Sequence, residues 1–365
     1  MIPKVIAFYL PQFHPTINNN KWYGEGFTEW TNLCKAKKLF PGHKQPNIPA
    51  DLGFYDLRLP ETRKAQADLA KKHGIHGFCY YHYRFNSEYR ELDLPFNEVL
   101  KSGEPNFPFM LCWVNESWYK KYWSYKGNYS KKILAEQIYE GIEDYKRHFF
   151  ELLPAFIDTR YIRIDDKPVF LIYKPLEFAD VNLFISCWQD LAKKNGLNGI
   201  FFISRTTNVS KEKDLLISKG FSAVYTVRLG ETWARKKLYE KIFMKTIRAI
   251  IRIPHIISYS KAAKYFVGKE DEQYDVFPTI IPNFDHTPRS GRGGVMLFNS
   301  TPQKFYKHMI NVMRTVKKKP VERQIAFLLA WNEWGEGNYM EPDIRWGKRY
   351  LEYFQKGLSS GINSN

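Results

Sequence analysis

The sequence lacks most of the patterns that mark metal, nucleotide or disulfide chemistry. Its four cysteines form no CxxC pair and have no zinc-ligand spacing, and its nine histidines include no HExxH. No GxGxxG follows a predicted strand, and there is neither a P-loop nor a DxD triplet, although Asp165 and Asp166 are adjacent. We therefore expect no metal ion and no nucleotide cofactor. Cys79 and Cys112 fall within predicted strands and are expected to be reduced core residues.

Long apolar runs are also missing. No stretch of about 18 apolar residues exists, so no transmembrane helix is expected. The N-terminus has one lysine and a short apolar run, and polar residues and prolines begin at Pro11, which does not fit a secretory signal peptide. These features predict a cytoplasmic protein.

Acidic residues are outnumbered by basic ones, and part of the excess is concentrated in one segment. The formal net charge is +17, and residues 235–264 hold nine basic residues against a single acid, Glu240. Apolar residues share the same helical spacing there, which predicts an amphipathic helix that contacts an anionic membrane, peripheral at the inner membrane. A solvated basic helix packed on the rest of the protein is the alternative. No nucleic-acid-binding motif accompanies the charge, so no nucleic-acid partner is expected.

Aromatic residues, by contrast, are abundant. They make up 17% of the chain, with 10 Trp, 24 Tyr and 27 Phe. Sugars present flat C–H faces and hydroxyl edges, and rings with polar tips match both. Most of these rings are expected in the large core that a hydrophobic content of 44% allows, and a minority at a carbohydrate site.

Short apolar runs alternate with helical patterns along the whole chain. The predicted strands are Val5–Tyr9, Gly77–Tyr81, Phe109–Trp113, Val169–Tyr173, Ile200–Ile203, Ala223–Val227, Val276–Ile281 and Ile325–Ala330. The predicted helices are Pro60–His73, Pro95–Lys101, Leu134–Leu153, Leu183–Asn195, Glu212–Lys219, Arg235–Arg252, Pro302–Lys318 and Ile344–Lys356. This order predicts an α/β fold, a single (β/α)8 TIM-type barrel with long βα loops, and an open doubly wound sheet is the alternative. We assign residues 1–358 to the barrel and expect residues 359–365 to fray.

Polar and aromatic residues cluster where the predicted strands end, which in a barrel is the active-site face. Glu333 and Glu336 follow the last strand and are the candidate catalytic residues. His82 has a core position as its alternative, Glu116 could brace a neighbour, and Asp285 could pair with Arg289 in a structural salt bridge. The candidate substrate-binding residues are Tyr9, His14, Glu29, Trp30, Tyr81, His82, Trp113, Asn115, Glu116, Asp285, Asn332 and Trp334.

The two catalytic candidates lie three residues apart in the stretch WNEWGEG, residues 331–337. Paired carboxylates suit the breaking or making of glycosidic bonds, because one acid protonates the leaving oxygen while the other handles the nucleophile. Burial and mutual repulsion should raise the pKa of one of them, so that it stays protonated at neutral pH.

Six ordered motifs resemble one known family. They are FYLPQFHP (8–15), GEGFTEWTN (24–32), GFCYYHYRF (77–85), LCWVNESW (111–118), PNFDHTPR (282–289) and AWNEWGEGNYMEPD (330–343). Together they resemble the WbsX-like family of bacterial O-antigen and capsule gene clusters, usually labelled glycosyltransferase, over about residues 3–355. That family is in turn similar to glycoside hydrolase family 99, the endo-α-mannosidases and endo-α-mannanases, which are (β/α)8 barrels.

The second resemblance implies roles for the two acids. The hydrolases carry an Asn-Glu-Trp-His-Glu-Gly motif after the last strand, and it matches residues 332–337 except that Gly335 replaces the His. The match implies that Glu336 is the general acid/base. It also implies that Glu333 deprotonates the sugar's own 2-hydroxyl, which attacks the anomeric carbon to give an epoxide-like intermediate that opens with net retention. The missing His removes a ring partner from the pocket, which bears on which substrate is bound.

Three functional interpretations follow. The first is a retaining glycosidase or transglycosidase that acts on the α-linkages of a bacterial surface polysaccharide, with an oligosaccharide or lipid-linked glycan as substrate. The second is a sugar-nucleotide-dependent glycosyltransferase of O-antigen assembly. The third is a non-catalytic glycan-binding barrel, which the intact acid pair disfavours. We predict the first.

Overall fold

The computed structural model describes residues 2–121 and 129–363. Its centre is a closed ring of parallel strands: β1 Lys4–Tyr9, β2 Gly77–Arg84, β3 Phe109–Trp113, β4 Lys167–Ile172, β5 Phe201–Thr206, β6 Ala223–Thr226, β7 in two halves, Val276–Phe277 and Thr279–Ile280, and β8 Ile325–Leu328. Each strand pairs with the next, and β1 also pairs with β8. The predicted (β/α)8 barrel and all eight of its strands are confirmed.

The ring closes at β7, which changes partner halfway along. Val276–Phe277 pairs with β6, and Thr279–Ile280 pairs with β8. Pro278 lies between the halves and cannot donate a backbone hydrogen bond, but its carbonyl accepts one from the Phe327 amide at 3.0 Å. A proline at this position therefore suits a strand that switches neighbours.

Eight helices of at least nine residues occur among the described residues, and most of them cover the outside of the ring. They are α1 Pro60–Lys72, α2 Leu94–Ser102, α3 Ile142–Ile157, α4 Val181–Lys194, α5 Val209–Ser218, α6 Leu238–Ile251, α7 Pro302–Lys317 and α8 Arg349–Asn363. Pro60 opens α1 and Gly74, at φ +88°, follows its end. None of the helices among the described residues has the length and apolar content needed to cross a bilayer.

Three helix predictions were wrong in their limits. The predicted helix Leu134–Leu153 begins too early, because Leu134 and Ala135 end a strand, Tyr129–Ala135, that pairs with Trp118–Lys121, and α3 begins after Gly141 at φ +81°. The predicted helix Arg235–Arg252 is α6, which begins at Leu238 and ends at Ile251, and a separate short helix, Glu231–Ala234, precedes it. The chain was predicted to fray from Ser359, but helix α8 continues to Asn363. Leu358 is buried there, and the Tyr306 hydroxyl donates a hydrogen bond to Ser360 at 2.9 Å. Residues 364–365 lie outside the described part of the chain.

The loops that follow β6 and β7 meet in a second, smaller core. A two-stranded parallel sheet, His255–Ser258 with Val295–Phe298, joins them. The apolar residues beneath it pack against Leu229 and Phe284, which both line the cavity described below. The buried members of this small core are Ile257, Tyr259, Ala262, Phe266, Ile281 and Leu297. Further short helices in the described part of the chain are Ile17–Tyr23 and Glu29–Lys35 after β1, Tyr259–Ala262 after β6 and Thr287–Ser290 after β7.

Aromatic rings fill the interior of the barrel. The ring of Phe8 lies 5.3 Å from Tyr225 and 5.5 Å from Tyr81 and from Phe327. The barrel is therefore a packed core, and open space begins only beyond the carboxyl ends of its strands.

Candidate active site

A cavity of about 580 Å³ opens at the carboxyl ends of the strands. Its volume lies in the range of small-ligand sites, and its walls combine tyrosine rings with acidic and basic side chains. Residues that follow all eight strands contribute to it, among them Leu10, Gln12, Tyr81, Tyr83, Glu116, Tyr173, Lys174, Arg205, Tyr225, Leu229, His286, Arg289, Glu333 and Glu336.

The chain after β8 brings both catalytic candidates to this cavity. Asn332–Glu333 pairs with Asn338–Tyr339, and a single 3-10 turn, Trp334–Glu336, joins them. The Asn332 amide accepts from the Leu10 N–H at 2.7 Å and donates to the Leu10 carbonyl at 3.0 Å, which fixes this hairpin to the end of β1. Glu333 and Glu336 then lie side by side in the cavity wall.

Arg289 holds the two acids together. Its guanidinium bonds Glu29 Oε1 at 2.8 Å through Nη2 and at 2.9 Å through Nε, and it makes a very short contact to Glu336 Oε1. Glu333 Oε2 lies 4.0 Å from Arg289 Nη1, the nitrogen that contacts Glu336. His286 Nε2 lies 3.7 Å from Glu336 Oε1. One cation thus faces three carboxyl groups, and it lies closest to Glu29 and Glu336.

The electrostatics of the pair are unequal. Burial first, and then the Glu336 carboxylate, raise the pKa of Glu333 well above its usual range, although Arg289 opposes the shift. Burial would lower the pKa of Arg289, but Glu29, Glu336 and Glu333 together raise it, so the guanidinium stays charged. Protonation of the pair is therefore favoured at Glu333, while Glu336 lies in direct contact with Arg289.

Gly335 is required by its surroundings. A Cβ added there would lie 1.6 Å from Glu29 Oε1 and 3.1 Å from Arg289 Nε. Glu29 thus occupies the space into which a side chain at position 335 would point.

Four of the predicted site residues line the cavity: Tyr81, Glu116, Glu333 and Glu336. The other ten do not contact it and brace it from behind. Glu29 and Asn332 do so through the contacts above. His14 is buried away from the cavity and faces Asp56 and Arg58, and burial lowers its pKa.

Four predicted aromatic contacts are in fact buried wall residues. The indole of Trp334 donates to Glu341 at 2.6 Å, that of Trp30 to the Tyr55 carbonyl at 2.8 Å and that of Trp113 to the Arg84 carbonyl at 2.9 Å. The Tyr9 hydroxyl donates to Gln66 at 2.6 Å. Each polar tip is satisfied inside the protein, so these rings shape the cavity and are not available to a sugar.

Three predicted polar contacts are structural as well. His82 points to the opposite side of β2 from Tyr81 and meets His148, Nε2 to Nε2, at 2.9 Å. The Asn115 amide donates to the Tyr139 hydroxyl at 2.9 Å and the Lys174 carbonyl at 3.0 Å. Asp285 is bound by His43 at 3.0 Å and Gln45 at 2.7 Å and does not pair with Arg289.

Sequence reasoning missed most of the cavity wall, and four of the missed residues matter for its chemistry. Tyr173 and Arg205 follow or end β4 and β5, and the same strand-end rule that found Glu333 would have found them. Arg289 was interpreted from the sequence as part of a structural salt bridge. Asn19 lines the cavity, and neither the oxygen nor the nitrogen of its buried side-chain amide has a hydrogen-bond partner. An unpaired amide in a polar cavity is a suitable partner for a sugar hydroxyl.

Comparison with known proteins gives the same family as the sequence motifs. The model of the family described as Glycosyltransferase WbsX matches residues 5–354. Two strains of Xanthomonas campestris pv. campestris each have an uncharacterized protein, WxcX, that is 29% identical over 361 residues. That alignment covers 97% of this chain and 49% of WxcX, so the chain spans about half the length of the curated relatives it matches.

Solved structures share the fold. The endo-α-mannosidase of glycoside hydrolase family 99 from Bacteroides thetaiotaomicron superimposes with a TM-score of 0.59 at 12% identity, covering 98% of this chain and 97% of the enzyme. A glycoside hydrolase-like protein gives a TM-score of 0.61 at 15% identity, with 98% and 94% coverage. Identities this low show a common barrel and no more. The family description implies a carbohydrate-active enzyme, and the chain belongs to the WbsX glycosyltransferase family.

Proposed function

We propose that this protein cleaves or transfers α-glycosidic bonds of a bacterial surface polysaccharide, with retention, through Glu333 and Glu336. The observation that carries the proposal is the unequal acid pair at the carboxyl end of the barrel, facing a cavity walled by tyrosines. Paired carboxyl groups with different pKa values are the arrangement that glycosidic chemistry requires.

The mechanism uses the single proton of the pair. In the reaction that the hydrolase resemblance implies, Glu336 protonates the leaving oxygen while Glu333 takes the proton of the sugar's 2-hydroxyl. Because the free site favours the proton on Glu333, we infer that substrate binding loosens the contact between Arg289 and Glu336 and allows the proton to move to Glu336. Arg289 then favours return of the negative charge to Glu336 as the bond breaks.

A sugar-nucleotide-dependent glycosyltransferase is the second candidate, and the description of the WbsX family favours it. Such enzymes often use an acidic metal site. The adjacent Asp165 and Asp166 form the turn before β4, at the opposite end of the barrel from Glu333, and Asp165 is paired with Arg323. A non-catalytic glycan-binding barrel is the third candidate. Burial would raise a carboxyl pKa in such a barrel too, so the feature that disfavours it is the pair of acids that faces the cavity.

The test is a screen of α-mannan and O-antigen fragments, with and without sugar nucleotides, read by mass spectrometry. Wild type and Glu336→Gln are compared. Cleavage or sugar-to-sugar transfer without nucleotide, lost in the variant, supports the proposal. Product that forms only with a sugar nucleotide supports the second candidate, and binding without any product supports the third.

We also propose a cytoplasmic protein that is peripheral at the inner membrane, where it meets a lipid-linked glycan. Helix α6 turns an apolar face to solvent: Leu238, Ile242, Phe243 and Ile250 are between 56% and 73% exposed. Lys237, Lys241, Lys245 and Arg252 flank that face. An exposed apolar stripe beside basic residues suits insertion among anionic headgroups.

Vesicle sedimentation tests this contact. The variant Ile242→Ser/Phe243→Ser should bind vesicles of phosphatidylcholine and phosphatidylglycerol several-fold more weakly than wild type. The control Leu176→Ser/Leu183→Ser removes two apolar groups elsewhere that are 47% and 45% exposed and should not change binding. A second variant, Lys241→Ser/Lys245→Ser/Arg252→Ser, should lose the preference for anionic over neutral vesicles. Equal binding by all these proteins would contradict the contact.

A further inference from the structure

Arg205 is the unusual cation of the cavity. It is the second-last residue of β5, lines the cavity, and places its guanidinium carbon 4.4 Å from the ring centroid of Tyr173. Tyr225 and Tyr81 are its next electrostatic neighbours. The guanidinium therefore packs against tyrosine rings. It belongs to β5, whereas Arg289 follows β7 and Glu333 and Glu336 follow β8.

The other cations of the cavity already have carboxylate partners. Lys174 bonds Glu177 at 2.6 Å and lies 3.6 Å from Glu116, and Arg289 holds Glu29 and Glu336. Within residues 2–121 and 129–363, no carboxylate lies within 4.0 Å of the Arg205 side chain, and no acceptor receives its N–H groups. Glu116 is near enough to act on it electrostatically, but its closest cation is Lys174.

The protein stabilises this guanidinium through its aromatic neighbours and leaves its N–H edge open to the cavity. The Tyr173 ring and the surrounding groups offset the desolvation of the charge, but within the described residues none of them accepts a hydrogen bond from the side chain. Its face is occupied by the tyrosine ring, so its N–H edge is what it presents to a ligand. A carboxylate or phosphate can accept two parallel bonds from that edge, whereas a neutral sugar hydroxyl offers a single weaker one.

We propose that Arg205 forms a subsite for an anionic substituent of the glycan, either the carboxylate of a uronic acid or a phosphate ester. This inference rests on the proposed function, because it assumes that the cavity binds a glycan. It adds that the bound glycan is acidic, and that its charged residue lies against Tyr173 while the bond to be broken lies at Glu333 and Glu336.

Saturation-transfer NMR titrations test the subsite without requiring turnover. The probes are methyl α-D-glucuronide, glucose 6-phosphate and the neutral methyl α-D-glucoside. Wild type is expected to bind at least one acidic probe about tenfold more tightly than the neutral one, an effect equivalent to about 1.4 kcal/mol. Arg205→Met should weaken binding of the acidic probe far more than binding of the neutral one and so abolish the preference, and Arg205→Lys should retain part of it.

The controls separate this inference from the proposed function. Lys211→Met removes an exposed cation from α5, outside the cavity, and should keep the full acidic preference. Thermal melts of all variants confirm folding. Equal binding of acidic and neutral probes by wild type would overturn the subsite alone, as would a preference that survives Arg205→Met. Binding of no probe at tens of millimolar would contradict the glycan cavity itself and the subsite with it. The relative tightness of the two acidic probes distinguishes carboxylate from phosphate.

Discussion

Glu333 and Glu341 are both buried acids of the same strand-end segment, on two sides of the Trp334 ring. Burial raises both pKa values, that of Glu341 to about 7. Glu341 receives three hydrogen bonds inside the protein, from Trp334 at 2.6 Å, Gln66 at 2.7 Å and Tyr55 at 2.8 Å. Glu333 instead faces the cavity beside a second acid. A raised pKa therefore marks both positions. Glu333 is distinguished by its acidic neighbour and its place in the large cavity, whereas the oxygens of Glu341 are bonded within the protein.

The largest expected effect is on activity. Glu333→Gln and Glu336→Gln should each lower kcat by about 10²–10⁴-fold on the substrate found in the screen, because each removes one half of the proton exchange. Their melting temperatures should stay near that of wild type. Glu341→Gln should retain most activity. A loss of kcat in Glu341→Gln as large as in the two cavity variants would contradict the distinction between a chemical role for Glu333 and a structural role for Glu341.

Removing the cation between the acids should change the pH profile. Arg289→Met takes away the charge that opposes protonation of the pair, so the alkaline limb of kcat/KM should move up by about 1–3 pH units. The expected direction follows because a nearby positive charge lowers a carboxyl pKa. The pH dependence of single-turnover rates in wild type and variant gives the measurement, and an unmoved limb would show that Arg289 has only a structural role.

Filling the space at Gly335 should disturb the same cluster through packing. Gly335→Ala is expected to lower the free energy of unfolding by about 1–3 kcal/mol, because its Cβ meets the Glu29 carboxylate. The double variant Glu29→Ala/Gly335→Ala should recover part of this loss in urea titrations. Gly230→Ala, where an added Cβ meets nothing within 4 Å, is the control and should be close to neutral.

The smallest effect should appear in the pH dependence of stability. The pKa of Glu341 is about 7 in the folded protein, above its ordinary value of 4.5, so the folded state binds more protons than the unfolded state between these pH values. The contribution of Glu341 to stability is thus fully present below about pH 4.5 and falls as the pH rises to about 7. Urea midpoints across this window should fall less in Glu341→Gln than in wild type. Parallel curves would contradict the shift.

Sequence reasoning reached the barrel because each strand is a short apolar run with a helix behind it, and because Pro60 and Gly74 mark helix limits. It reached Glu333 and Glu336 because strand ends face the site. It could not tell which side of β2 points inward, so Tyr81 and His82 were both assigned to the cavity although alternate residues of a strand face opposite ways.

The ion-pair cluster was beyond sequence reasoning for a different reason. Glu29 and Arg289 come from loops after β1 and β7, and no local pattern states that these loops meet. The large rings of Trp30, Trp113 and Trp334 were assigned to the substrate because the motifs contain them. Each of these rings is buried, and its indole N–H donates to a protein acceptor. The rings therefore pack behind the loops that form the cavity.

The shared space between positions 29 and 335 has a consequence for the history of the family. A residue larger than glycine at 335 is compatible only with a shorter residue at 29, so the two positions should vary together among relatives although they lie near opposite ends of the chain. A single exchange of volume would then separate the His-bearing hydrolase motif from the Gly-bearing one. The same exchange removes one of the two carboxylates held by Arg289, so substitutions at 29 and 335 would also change the charge around the catalytic pair.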